Sequence, residues 1–583
     1  MDFYKVELEK AKNGENTFKV KYDNREIYIH SKYNPTKEAK KGLKALSLED
    51  SDKNTVFICM GLGLGYNLIE LYKSITLKNK IIVIEPNKEI IKYNYKVNDV
   101  LKKGNVKIIK GIDLIKVKET IENNIKLENY NNIKIYELTP YKKIYKDYLK
   151  KVYDVIYKHE NQLKLHINTN RLHGQKISEN AIKNLPYIIR DGKSIDILKN
   201  KFYNKPAIIV SAGPSLEKNI DLLKDIQNDA FIISGGRTLK PLLEKGIIPH
   251  LICSIDPQDI AFKLIDKLDF SEIPLVTLIH GNYKVVSNHK GQVLFIGDKY
   301  HNPMVEYITK KTLEEIEVGG SVATTSLSVA KYIGCNPICF IGQDLAYTDN
   351  KYYSDNASIN KDNNISKNEE LLKVKNIYGN DIFTNESLYY FLKLIEEFIS
   401  TNKSNTYINA TEGGAKISGT KDMTLKDFIE KYCHEAFYPK DKLRTCLKED
   451  INGIKEVNIA KQNIKDVIEN LNNLEKFSLY NMNLADKLSK VYLESSQEDM
   501  ENILSKMDIN DNLIEKYKNE ELMMHYFRQL FLIDIVNKYE EKTYENPIDR
   551  DLRIINKDKE IYKMKSYLAN QYKSYFNEIL TKL

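Results

Sequence analysis

The chain has 583 residues, with 89 Lys+Arg against 81 Asp+Glu and a formal charge of +8. That length exceeds one hydrophobic core and points to roughly three or four domains, and so small a basic excess over so long a chain excludes the concentrated charge of a nucleic-acid binder. Six cysteines (Cys59, Cys253, Cys335, Cys339, Cys433, Cys446) fall mostly inside apolar runs without zinc spacing, so buried reduced thiols in a cytoplasmic protein are expected.

The N-terminal stretch MDFYKVELEK is charged and lacks an apolar signal core, and no run approaches the ~18 apolar residues of a membrane span, so neither secretion nor membrane insertion is expected. In TFKVKYDNREIYIHS, Phe18, Val20, Tyr22 and then Ile27 and Ile29 follow a period of two, so residues 1–50 read as a small β cap. Residues 51–145 alternate short apolar strands (TVFICMGLGLG, KIIVIEP, VKIIKG, NIKIYEL) with amphipathic stretches, a Rossmann-like pattern. Leu149, Val152, Ile156 and Leu163 share one helical face, which makes 146–199 a helical connector. The strand–helix alternation returns on a larger scale over 200–435, and 436–583, poor in Gly and Pro, carries Ile454, Val457, Ile464, Val467, Leu471 and Leu474 at helical spacing. The fold class is therefore α/β: two Rossmann-like domains with parallel sheets, followed by a helical bundle.

In FICMGLGLGYNLIELY, Gly61, Gly63 and Gly65 stand between a strand and a helix, and Glu85 ends the next strand. Glycines there let a nucleotide approach the backbone, and the acid can accept from ribose hydroxyls. The turn resembles that of Rossmann-like methyltransferases, but the downstream strands carry no catalytic signature of theirs; Asp113 is the one acid they offer. The same turn also serves simply to pack a first helix closely on a sheet, so a nucleotide site and a purely structural turn both remain open.

In an open parallel sheet, ligands bind beyond the carboxyl ends of the strands. Six strand ends in 200–435 are small or polar. They are Ser211-Ala212-Gly213-Pro214-Ser215; Ser234-Gly235-Gly236-Arg237; Asp256 before Pro257; Gly319-Gly320-Ser321 before a helix; Gly342-Gln343-Asp344 with Tyr347, Tyr352 and Tyr353 following; and Asn409, Thr411, Glu412, Gly413 and Gly414. Taken singly each is turn chemistry. Together they describe a cleft for a nucleotide-linked ligand, with helix-start amides and Arg237 for phosphate, acids for hydroxyls and tyrosines for phosphate or ring contacts. No GxSxG, HExxH or Walker A lysine is present, which argues against a serine triad, a zinc hydrolase or a P-loop.

SAGPSLEKN, SIDPQD, GGSVATTSLSVAKYIGCNPICFIGQDLAY and NATEGGAKISG resemble the central domain of the motility-associated factor (Maf) glycosyltransferases, which modify flagellin. That domain is similar to bacterial sialyltransferases and, more distantly, to archaeal hydroxymethylpterin pyrophosphokinase. The resemblance implies transfer of a nonulosonic acid from a CMP-activated donor to Ser or Thr of flagellin, with flagellin as partner. It places Gly213, Pro214 and Ser215 against the cytidine phosphate and Asp256 at the sugar or ribose. Gly320 and Ser321 fall in a donor-contacting turn, and Tyr347 with Tyr352 or Tyr353 on the leaving phosphate. Gly235 stands where the sialyltransferases have Asn, and Asn380 after Gly379 where they have a base His.

Departure of CMP needs a stabilised phosphate, and the acceptor hydroxyl needs a base. Asp344, Asp256, Glu412 and Asp381 are the candidates in that order, with His280 a further one. No resident cofactor or metal is expected, and involvement of a divalent ion is open. The alternatives are pyrophosphoryl transfer from ATP, with Asp256 and Asp259 on magnesium, and a non-enzymatic flagellin chaperone.

Overall fold

The computed structural model describes residues 4–22, 25–44, 46, 54–93, 98–126, 129–190, 192–348, 351–354, 357, 371–448, 454–494, 497–539 and 545–583. The chain divides into two compact units, the first comprising Met1–Leu172, Met482–Ile503 and Gln529–Ile561 and the second His173–Asn481, Leu504–Arg528 and Tyr562–Leu583. The helices after residue 436 are thus shared between the units.

In the first unit, β1 (Val6–Lys10), β2 (Asn16–Tyr22) and β3 (Arg25–Tyr28) form an antiparallel sheet. A parallel sheet follows, built from β4 (Val56–Met60), β5 (Lys80–Glu85), β6 (Val106–Lys110) and β7 (Ile133–Glu137) in the order β6-β5-β4-β7. β4 is apolar throughout because both of its faces are covered: Val56, Ile58 and Met60 pack in one cluster, which includes Phe18 and Val20 of the β cap, and Phe57 and Cys59 in another. The expected connector is a helix spanning Lys146–Arg190, and Leu149, Val152 and Ile156 are buried in the first unit's core.

The second unit is organised on a parallel sheet, nine-stranded among the described residues. Its strands are β8 (Lys193–Ser194), β9 (Ala207–Val210), β10 (Phe231–Gly235), β11 (Leu251–Cys253), β12 (Leu275–Leu278), β13 (Val293–Ile296), β14 (Ile338–Ile341), β17 (Tyr407–Asn409) and β18 (Lys421–Asp422). A two-stranded antiparallel hairpin, β15 (Leu372–Lys375) with β16 (Asp381–Thr384), stands apart from it. The order β18-β17-β14-β9-β10-β11-β12-β13-β8 reverses direction between β9 and β14. Ile209, Phe231, Ile233 and Phe340 pack on one face of this sheet, and Ile208, Val210, Ile232 and Ile341 on the other. Each such side chain is worth roughly 1.5–3 kcal/mol on full burial, so these strands are rigid anchors for the turns at their ends.

Beyond the Ser211-Ala212-Gly213 strand end the chain forms two short 3-10 segments, Pro214–Lys218 and Ile220–Ile226, rather than one continuous helix. Asn219, at φ −136°, interrupts the helical path because its side-chain amide is drawn to the carbonyl of Ala410 and the carboxylate of Glu412. Of the expected face of the Ile454–Glu494 helix, Ile464, Val467, Leu471 and Leu474 are buried and Val457 is half-buried, and the side chain of Ile454 lies outside those described. Among the described residues no helix is long and apolar enough to cross a membrane. Cys59, Cys253, Cys335 and Cys339 are buried free thiols, and Cys433 and Cys446 are half-buried ones.

Candidate functional site

Each parallel sheet has a switch point where a ligand could enter, and the two are built in opposite ways. In the first, between β4 and β7, the amides of the glycine turn are bonded to the protein's own side chains, beside a cavity of about 680 Å³ lined by His30, Tyr33, Tyr136, Leu138, Thr139 and Pro140. Glu85 is fully buried and accepts hydrogen bonds from the amides of Leu62 (2.8 Å), Gly63 (3.3 Å) and Asn87 (2.8 Å) and from the Tyr141 hydroxyl (2.7 Å). Burial pushes its carboxyl up to about 7 against those four bonds. The Leu64 amide donates to His30 Nε2 at 2.8 Å, and a Cβ on Gly63 would lie 2.3 Å from that same nitrogen. The amides that would cradle a pyrophosphate are thus bonded to Glu85 and His30, and Gly61 and Gly65 complete the same turn beside them. The glycines here serve close packing.

In the second sheet the switch point is open. The ends of β9, β10, β11 and β14 and the start of the Val322–Tyr332 helix enclose a cavity of about 280 Å³. Its wall includes Ser211, Gly213, Gly235, Gly236, Arg237, Asp256, Ser321, Gly342, Gln343, Asp344, Tyr352 and Tyr353, so five of the six expected turns meet. The floor is tightly knit. The Gly213 amide donates to the Gly342 carbonyl at 2.8 Å, and a Cβ on Gly213 would sit 2.1 Å from Asp344 Oδ1 and 2.6 Å from that carbonyl. Glycine is required there because two strand ends cross with no room for a side chain.

Polar side chains define much of the wall. Arg237, at the start of the Gly236–Glu244 helix, stacks its guanidinium 4.0 Å from the centre of the Tyr353 ring and donates to the Ala357 carbonyl at 3.3 Å. Tyr352 packs between Tyr353 (4.7 Å) and Tyr347 (5.6 Å). Ser211 donates its hydroxyl to Gln343 Oε1. Two carboxylates differ sharply. Asp344 is buried; its Oδ1 accepts from Ser215 Oγ at 2.6 Å and its Oδ2 from Thr348 Oγ1, and burial raises its carboxyl despite these bonds. Asp256 is half-buried and accepts from the Gln258 amide through Oδ1 at 2.9 Å; among the described residues, Oδ2 has no protein partner.

Several expected residues lie elsewhere. Glu412 turns away from the cavity because its carboxylate accepts from Asn219 Nδ2 and the Leu425 amide, both at 3.1 Å, at the start of the Leu425–Tyr432 helix. Asp381 is in the exposed β15–β16 hairpin, paired with Lys375 at 2.6 Å, and Gly379-Asn380 is the turn of that hairpin. His280, at the end of β12, faces Asp298 and His301. Pro214, Ser215, Gly319, Gly320, Tyr347, Thr411, Gly413 and Gly414 stand outside the lining. Some of them act from behind: Ser215 holds Asp344, Asn385 donates to the Tyr347 hydroxyl at 2.8 Å, and a Cβ on Gly413 would be 3.6 Å from Asp344 Oδ2. Sequence reasoning missed Thr238, Ser254, Ser326, Leu388 and Phe391, which also line the cavity. Leu388 and Phe391 share a face of the Glu386–Thr401 helix, a spacing that signals an apolar wall without saying what it faces.

Residues 179–350, which carry most of this cavity, match the family model described as 6-hydroxymethylpterin diphosphokinase MptE-like. Curated protein sequences give no match. Among solved structures, a Maf glycosyltransferase from Magnetospirillum magneticum AMB-1 superposes over 98% of this chain and 93% of its own with a TM-score of 0.57. The chain has the fold of a Maf glycosyltransferase. At 14% identity the likeness to the Maf enzyme is one of architecture, and it extends through both parallel sheets and the helices that follow them.

Proposed function

We propose that the chain is a glycosyltransferase whose open cleft binds a CMP-activated nonulosonic acid and passes the sugar to Ser or Thr hydroxyls of flagellin in the cytoplasm. The observation that carries this reading is the meeting of five strand-end turns at one switch point, with a cation, two tyrosines and two carboxylates on the wall. The Maf fold supports glycosyl transfer, and the donor and acceptor follow from the sequence resemblance.

In this reading the Arg237 guanidinium and the amides of Gly236 and Arg237 hold the nucleotide phosphate. Tyr352 and Tyr353 direct hydroxyls at the leaving oxygen. Asp256 takes the proton, because its Oδ2 is the open acceptor, whereas both oxygens of Asp344 are engaged. The acceptor oxygen forms a bond to the anomeric carbon as the bond from that carbon to the CMP phosphate oxygen breaks. CMP leaves with the electron pair, the acceptor proton goes to Asp256, and the anomeric configuration inverts.

Pyrophosphoryl transfer is the second reading, and the MptE-like match favours it. It needs Asp256 and Asp259 together on magnesium. Asp259 instead pairs with Lys284 at 3.1 Å and Lys176 at 3.7 Å and accepts from Asn282 at 3.1 Å, outside the cavity lining. Intact-mass measurement of flagellin incubated with this chain and a CMP-sugar separates the readings. A mass increase of one sugar residue per modified site is expected. An unmodified flagellin, with AMP released from ATP and a hydroxymethylpterin, would replace glycosyl transfer by pyrophosphoryl transfer.

A further inference from the structure

One and two strands along the sheet from Asp256, at the ends of β12 and β13, a second group of side chains has no part in the proposed transfer. His280 follows β12, Asp298 follows β13, and His301 precedes the Asn302–Thr309 helix. Their ligating atoms all lie within 4.8 Å of one another. Asp298 Oδ2 is 3.2 Å from His280 Nδ1 and 2.7 Å from His301 Nδ1. The other carboxylate oxygen accepts from the amides of Tyr300 (2.9 Å) and His301 (3.0 Å), which fixes the orientation of Oδ2 between the two rings.

We infer that His280, Asp298 and His301 form a binding site for one divalent first-row cation of the zinc class. Two imidazoles and one carboxylate suit a borderline cation; magnesium and calcium favour all-oxygen sets. Bonds of ~2.0–2.2 Å to a tetrahedral ion place its ligands ~3.4 Å apart, so the 3.2 and 2.7 Å carboxylate–imidazole spacings widen by roughly 0.2 and 0.7 Å, and the remaining spacing, within 4.8 Å, closes by at most roughly 1.4 Å. Ligation through Nδ1 needs each neutral imidazole in the tautomer that carries its proton on Nε2: each Nδ1 gives up its proton and its hydrogen bond to Oδ2, and each Nε2 takes a proton up, so the rings stay neutral as the cation takes the place of the two hydrogens. Three protein ligands leave one position for water. Access exists, since the His280 and Asp298 side chains are 15% and 19% exposed. The carboxylate is supported by backbone amides, as outer-shell groups support a metal ligand.

The position gives the site a structural consequence. Asn180 donates to the carbonyls of both Pro257 (2.9 Å) and His280 (3.3 Å), and the Asn282 amide donates to the Asp256 carbonyl at 3.2 Å. A cation holding His280 therefore steadies the loop against which Asp256 rests. This inference stands independently of the glycosyl-transfer reading.

The test is calorimetric titration of the full-length, chelator-treated protein with zinc, together with cobalt(II) titration followed by visible absorption. One equivalent of zinc and a cobalt spectrum with tetrahedral or five-coordinate intensity are expected. Affinity falls at least about tenfold in His280→Ala and in Asp298→Asn, with circular dichroism confirming that each variant is folded. Asp298→Asn keeps an oxygen for the two backbone amides, so it preserves the turn should His280→Ala fail to fold. Absence of stoichiometric binding by the wild-type chain overturns the inference, as does affinity unchanged in a folded variant.

Discussion

Asp256→Asn is expected to slow sugar transfer by roughly 10²–10⁴-fold, the usual contribution of a positioned general base, while CMP still binds as it does to the wild-type protein. The asparagine retains an oxygen for the Gln258 amide, which Asp256 Oδ1 now accepts at 2.9 Å. The turn therefore keeps its shape, and the lost capacity is the proton acceptor. Single-turnover transfer measured beside calorimetric CMP binding checks both halves. Turnover equal to the wild type would move the base elsewhere on the wall, with Asp344 the other carboxylate available.

Gly213→Ala acts on the floor rather than the chemistry. Its methyl group would meet Asp344 Oδ1 and the Gly342 carbonyl at 2.1 and 2.6 Å. Neither retreats freely, because Asp344 is held by Ser215 and Thr348, and β14 is paired in register with β9. The strand ends must part. Thermal melting is expected to show destabilisation of about 1–3 kcal/mol from overpacking, and CMP binding is expected to disappear. A variant with an unchanged CMP isotherm would show that the β9–β14 crossing is no part of the donor site.

The contrast between the two switch points shows how far the sequence could be read. Gly61, Gly63 and Gly65 after β4 look as ligand-ready as Gly213 and Gly235-Gly236 in the second sheet. What occupies the first turn is His30, which accepts from the Leu64 amide, and Tyr141, which donates to Glu85; they come from the β cap and the segment after β7, and local pattern does not register such distant partners. The five turns that do converge were legible because strand-end position is fixed by the parallel sheet itself. The direction of a strand-end acid was not legible. Glu412 was drawn to Asn219 and a helix start, and Asp381 to Lys375 on a hairpin that periodicity did not separate from the sheet. Likewise, Asp298 and His301 are three residues apart, but only the pairing of β12 with β13 brings His280 to them.

In the proposed function the open cleft accepts a cytidine nucleotide through Arg237, which stacks on Tyr353. Calorimetric titration of the wild-type protein and Arg237→Met with CMP tests it most directly. One CMP per chain is expected, with affinity reduced roughly tenfold to a hundredfold in the variant, as loss of a charge-assisted phosphate contact predicts. Failure of the wild-type chain to bind CMP, or equal affinity in the two proteins, would contradict the account.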